Sequence, residues 1–227
     1  MRPRALARPA LAGALCFAFT CASAQSALAQ SDTSQSTPTA RAAATPRIDV
    51  QHRKLNVRAG NRTAVRGTVA PGVGGITVSL QLKRGARWKP IDRDRTDGAG
   101  RYKLRERLRR TGSAKVRVRV AGGPGVAPGK RVIGRLNVYR VASASWYGPG
   151  FYGNRTGCGG TLRYGQLGVA HKSLPCGTMV TFKRGDRSVR VPVIDRGPYV
   201  GGREYDLTAA TAARLGFKGH GGILTTH

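Results

Sequence analysis

The residues best suited to chemistry lie between Val141 and His227 of this 227-residue chain. Asp195 follows the apolar run Val189 to Ile194, interrupted by Arg190 and Pro192, and precedes Arg196-Gly197-Pro198-Tyr199. A carboxyl at a strand end, partly screened from water, suits general acid–base work, because it can give and take back a proton. The same residue also reads as a turn former hydrogen-bonded to its own backbone. His171 ends Gly168-Val169-Ala170-His171. It either orients a ligand and tunes a nearby carboxyl, or is a strand-end histidine satisfied by backbone groups. Asp206, in Tyr205-Asp206-Leu207-Thr208, reads as a second carboxylate, a helix-start cap or a counter-charge to Arg196 or Arg203. Trp146 and Tyr147 are candidate stacking platforms, with core packing the alternative, more so for Trp146. The loop after them carries Gly148, Gly150 and Gly153, where backbone can approach a ligand closely. Tyr199 is a further groove candidate. His52, His171, His220 and His227 are scattered, with no Cys or His at ligand spacing, so no cofactor is expected.

The elements that must hold these residues are short strands. Ala142 to Tyr147, Leu167 to His171, Thr178 to Lys183, Ser188 to Ile194 and Gly222 to Thr226 are strand candidates. Gly185-Asp186 marks a hairpin turn. One helix is expected, with Thr208 as its cap, Ala209 to Leu215 as its body and Gly216 as its stop. Residues 48–140 also alternate apolar and polar side chains, as in Thr63 to Val69, Ile76 to Leu82 and Lys115 to Val120. Pro71-Gly72, Asp97-Gly98 and Gly122 to Gly125 punctuate them. Roughly seven strands at this spacing predict an antiparallel β-sandwich of immunoglobulin-like type, with Trp88 and Tyr102 as core aromatics. Arg140 to Ala144 joins it to the C-terminal domain, residues 141–227.

Residues 1–29 read as a secretory signal peptide: Arg2, Arg4 and Arg8, the apolar run Leu11 to Ala22, then Ala22-Ser23-Ala24 and Ala27-Leu28-Ala29, the second favoured for cleavage. The run is too short for a transmembrane helix, and no later segment replaces it. Residues 30–47, rich in Ser, Thr, Ala and Gln, predict a flexible linker. Cleavage leaves Cys158 and Cys176. In an exported protein they predict one disulfide, with two free thiols or half a metal site as alternatives. The net charge is +30. Gln30 to Arg140 holds 26 basic and 6 acidic side chains, and Val141 onward 11 and 4. Such a field gathers polyanions. Export argues against nucleic acid and leaves anionic wall polymers, lipid headgroups and acidic glycans; the bland reading is solubility.

The ordered motifs Ala144-Ser145-Trp146-Tyr147-Gly148, Gly168 to His171, Leu174-Pro175-Cys176-Gly177-Thr178, Val193 to Tyr199 and Gly202 to Thr208 resemble the RlpA (rare lipoprotein A) family. The resemblance implies an all-β fold overall, with a six-stranded double-psi β-barrel and one short helix after the sandwich. It implies lytic transglycosylase activity on peptidoglycan glycan strands in the cell envelope. Asp195 then matches the essential carboxyl and His171 its associated histidine. Trp146, Tyr147, Arg196, Tyr199 and Asp206 become candidate substrate contacts, because an apolar sugar face lies well on an aromatic ring. The family often has a Glu eleven positions before the histidine; here that position is Gly160. The competing reading is an expansin-like barrel that grips wall glycan without cutting it.

Overall fold

The computed structural model describes residues 42–227. The expected signal peptide and most of the expected linker lie outside the described residues. The described chain is mostly β, its regular structure being strands with one short helix.

Strands β1 (Arg47–Lys54), β3 (Arg62–Ala70) and β6 (Arg101–Arg107) form an antiparallel sheet in the order β1-β3-β6. A second sheet runs β5 (Arg87–Arg95), β4 (Thr77–Arg84), β7 (Gly112–Val120) and β8 (Gly129–Tyr147), with β2 (Asn56–Arg58) pairing in parallel to β8. The period-two pattern turns Val65, Val69 and Leu104 of the first sheet toward Val78, Leu80, Val116 and Val118 of the second, and they share one core. Tyr102 joins this core, its hydroxyl donating to the Asp49 carbonyl at 2.9 Å. Trp88 does not. It lies half-buried on the outer face, under the guanidinium of Arg117. The β4–β5 bulge between Leu80 and Gln81 leaves Trp88 opposite Lys83, on that outer face.

Two segments at the expected boundaries are structured. The chain is structured before Arg47: the Ala44 amide donates to Gly125 at 3.0 Å, and its carbonyl accepts from Ala127 at 2.8 Å. Backbone pairing with the 123–127 turn thus captures the end of the expected linker. At the second boundary, β8 runs unbroken through Arg140 and Val141, so its two halves serve two different cores.

The second core gathers around the C-terminal half of β8 with β9 (Val169–His171), β10 (Met179–Arg184), β11 (Arg187–Asp195), β12 (Tyr205–Thr208) and β13 (Gly221–Thr225). Pairing runs β12-β9-β11-β10-β13-β8, and β12 also pairs in parallel with β8. Val169, Val180, Phe182, Val191, Tyr205 and Leu207 fill the interior. Gly185 turns the β10–β11 hairpin with φ +54°. Helix α1 (Ala209–Leu215) packs against this core through Ala212 and Leu215. Thr208 caps its start, accepting from the Thr211 amide, and Gly216 ends it in the left-handed conformation. Strand β12 was not anticipated: four residues running straight into a helix give too little alternation to read. Among the described residues no helix is long and apolar enough to cross a membrane.

Candidate functional site

Asp195 is the last residue of β11, at a register irregularity where it faces Ala170 of β9. Its carboxylate is held at both oxygens. Oδ1 accepts the Gly157 amide at 2.6 Å and the Arg196 amide at 2.8 Å. Oδ2 accepts the Tyr147 hydroxyl at 3.1 Å. Tyr147 ends β8. Burial, and then the neighbouring Asp195 carboxylate, push its pKa far up, so it stays a proton-bearing donor. Gly157 reaches Asp195 because it lacks a side chain: a Cβ there would lie 2.6 Å from Cγ of Arg196. One residue on, Cys158 is bridged to Cys176, as expected of the cysteine pair. The bridge anchors the 148–161 loop beside the residues preceding β10.

A groove of about 440 Å³ opens over Asp195. Tyr147, Arg196, Tyr199 and Asp206 line it, as does Ala170. Asp206 sits on β12 between Ala170 and Ser145, and accepts a hydrogen bond from the Ser145 hydroxyl. Tyr199 is 85% exposed at the rim, so its ring is free to receive a ligand. Sequence reasoning missed Phe151, Arg155, Gly157, Val200 and Arg203. Phe151, more than half exposed, meets Tyr147 edge to face at 6.0 Å. Its position in the glycine-rich loop was the available signal.

Two candidates stand apart from the groove lining. Trp146 is exposed, and its β8 neighbours Ser145 and Tyr147 serve Asp206 and Asp195 from the opposite side of the strand. His171 likewise alternates with Ala170. Its Nδ1 accepts the Ser173 and Leu174 amides at 3.1 and 3.0 Å, and its ring packs 4.9 Å from that of Tyr205. Burial pushes its pKa down; Glu204 opposes this, while His227, Arg140 and Arg196 add to it. Arg196 lines the groove, yet its guanidinium is directed to the protein. It donates to the carbonyls of His171 at 3.2 Å and Leu174 at 2.8 Å, and to Sγ of Cys176 at 2.9 Å. It ties three motifs together rather than pairing with Asp195. Among the described residues no three His, Cys, Asp or Glu side chains converge as metal ligands.

The site is thus a carboxylate held by two amides at one oxygen and a tyrosine hydroxyl at the other, beside a groove flanked by exposed rings, on a mostly β scaffold. Residues 139–226 match the family described as "Lytic transglycolase", and this segment is RlpA-like. The chain is 41% identical over 117 residues to the probable endolytic peptidoglycan transglycosylase RlpA of Synechocystis sp., covering 45% of this chain and 36% of that one. It is 46% identical over 74 residues to the endolytic peptidoglycan transglycosylase RlpA of Campylobacter jejuni, covering 32% and 27%. It is 40% identical over 90 residues to the probable endolytic peptidoglycan transglycosylase RlpA of Aquifex aeolicus, covering 39% and 40%. The chain thus spans well under half the length of these relatives.

Proposed function

We propose that this chain is an exported, peptidoglycan-active enzyme of the cell envelope, a lytic transglycosylase that uses Asp195 as its acid and base. The observation that carries the reading is the suspension of Asp195 between Tyr147 and two backbone amides, beneath a groove rimmed by Phe151 and Tyr199. The relatives' names support the substrate class. Within this reading the six strands around β8 form a double-psi β-barrel, supported by the pairing of β12 back to β8. The N-terminal sheets form an immunoglobulin-like sandwich, supported by their common core.

The reaction follows from the donors. Asp195, protonated at Oδ2, gives its proton to the glycosidic oxygen as the bond to the anomeric carbon breaks. The muramyl 6-hydroxyl attacks that carbon, forming a 1,6-anhydro ring, and its proton returns to Oδ2. Negative charge develops on Asp195 in the first step, and the three donors already point at it. They stabilise the charge-separated state more than the neutral one, which is what accelerates a reaction. Asp206 and Tyr199 are the proposed sugar contacts, with Phe151 added. Arg196 and His171 are positioning residues: the His171 carbonyl and Arg196 hold the loop that Cys176 anchors.

The test is digestion of purified glycan strands, read by mass spectrometry for anhydromuramyl ends. Asp195→Asn should slow their release by about 10²–10⁴-fold, the usual weight of general acid–base catalysis. Equal release by the variant would remove the assignment. A second reading, a barrel that grips glycan without cutting it, draws on the same three donors, since a fixed carboxylate also holds a sugar hydroxyl. Strands bound but uncut by the unaltered protein would establish it.

A further inference from the structure

We infer that the outer face of the sheet β5-β4-β7-β8 binds a linear polyphosphodiester. The strand register places Arg93, Ser79, Arg119 and Lys130 in one row across four strands. The next row pairs Gln81 with Arg117, and beyond it Lys115 lies opposite Arg135. Like charges directly opposite each other destabilise a sheet. Here Arg119 faces Lys130 and Lys115 faces Arg135, so an anion laid across the strands relieves both oppositions.

The carboxylates that could neutralise this face are turned elsewhere. Asp92 and Asp94 of β5 accept the amides of Arg105 and Lys103 at 2.6 and 2.7 Å, tying β5 to the neighbouring edge of β6. The ion pairs among the described residues are Arg101–Asp97, Arg131–Asp49 and Arg140–Glu204, and none uses a cation of these rows. The outer face of β1-β3-β6 also sets like charges opposite each other, Arg66 to Lys103 and Arg62 to Arg107, but it carries Asp49 and the Arg101–Asp97 pair as well.

One cation is held ready. The Arg117 guanidinium lies 4.3 Å above the Trp88 ring, and its Nε donates to Gln81 Oε1 at 2.8 Å. Gln81 in turn donates to the Ser79 hydroxyl at 3.1 Å. Ser79 and Gln81 are buried although they stand on the outer face. The two terminal nitrogens of Arg117 have no partner among the described residues. A guanidinium fixed by stacking and one hydrogen bond loses little freedom on gripping a phosphate with its remaining donors.

Rows spaced about 7 Å along the strands, the first about 14 Å across its four strands, suit an extended chain rather than a single small anion. A glycan strand with one carboxylate per disaccharide is too sparsely charged for cations this dense. A polymer with a phosphodiester in every short repeat matches them. The choice of a wall polymer over nucleic acid rests on the proposed export.

The experiment uses the full chain and fluorescent poly(glycerol phosphate), with affinity measured across a salt series. Arg93→Gln/Arg119→Gln/Lys130→Gln should weaken binding more than tenfold and lower the log–log salt slope by about two. Arg117→Lys, which keeps the charge but loses the planar fork, should weaken it at least threefold. The charge-matched control Arg66→Gln/Lys103→Gln/Arg105→Gln, on the other sheet, should change it less than twofold. Equal losses in the two triple variants would overturn the assignment of the face. Equal or tighter binding of single-stranded DNA of matched charge would overturn the identity of the polymer. Neither readout depends on glycan cleavage, so failure here is separable from failure of the enzymatic reading.

Discussion

Under the proposed mechanism, Tyr147→Phe isolates the working oxygen of Asp195. The substitution removes one hydroxyl and leaves the ring, so the edge-to-face contact with Phe151 and the strand position are kept. What is lost is a single hydrogen bond to Oδ2, 3.1 Å long. A hydrogen bond to a charged group contributes about 1.5–3 kcal/mol, and the length places this one toward the lower figure. At about 1.4 kcal/mol per decade, kcat/KM for anhydromuramyl release should fall about tenfold. The fall should appear in kcat, because the bond strengthens only as charge develops on Asp195. In an Asp195→Asn background the same change should cost less than twofold, since the charge it stabilises is gone. Assays of the four proteins of this cycle on one glycan preparation supply the numbers. A tenfold loss that persists in the Asp195→Asn background would refute the reasoning, because Tyr147 would then act on something other than Asp195.

Replacing both Cys158 and Cys176 by Ser removes a bridge across 18 positions, and should lower unfolding free energy by about 3 kcal/mol in urea titration. A loss below about 1 kcal/mol would show that the loop is held without the bridge. Acid should act in two windows. Burial depresses the pKa values of His171 and His227 below 6.5, so the unfolded chain takes up protons first as pH falls, and stability declines from about pH 6.5 downward. The hydrogen bond from Arg140 depresses Glu204, and its contribution is present above 4.5 and lost only as pH falls through its lower folded value. Urea midpoints at pH 7.5, 5.5 and 4.0 separate the windows, and His171→Gln/His227→Gln should flatten the upper one alone. An unchanged slope between pH 7.5 and 5.5 in that variant would locate the loss elsewhere.

Local chemistry was legible and facing was not. The cap at Thr208, the stop at Gly216 and the turn at Gly185 depend on neighbours in sequence, and the structure has them where the residue types put them. Asp195 at a strand end was readable for the same reason. Which side a residue takes depends on register, and one step in a strand reverses it. Trp146 and Tyr147 are adjacent, so they could not both face the groove; the pairing of β8 with β12 decides for Tyr147. Ala170 and His171 pose the same choice, and the contact of Ala170 with Asp195 turns the imidazole away. Strand β12 was hidden differently, since four residues running into a helix show too little alternation, and Phe151 was signalled only by its place in the glycine-rich loop.

The unbroken course of β8 gives the two parts of the chain a fixed separation. Lys130, near its start, belongs to the basic face, and Tyr147, at its end, touches Asp195. At about 3.3 Å per residue the strand sets an upper bound of roughly 56 Å between them. A flexible linker would let the groove sample every glycan strand within a wide radius. Under the proposed function and the inferred polymer site, a shared strand would instead restrict it to glycan within a bounded distance of whatever the basic face holds. Anchoring on a polymer that threads the wall would then choose which strands are presented for cutting, without any contact between polymer and groove. Selectivity of this kind would come from geometry rather than from sugar recognition alone, in a groove lined by two carboxylates, Asp195 and Asp206, and by the rings of Tyr147, Phe151 and Tyr199.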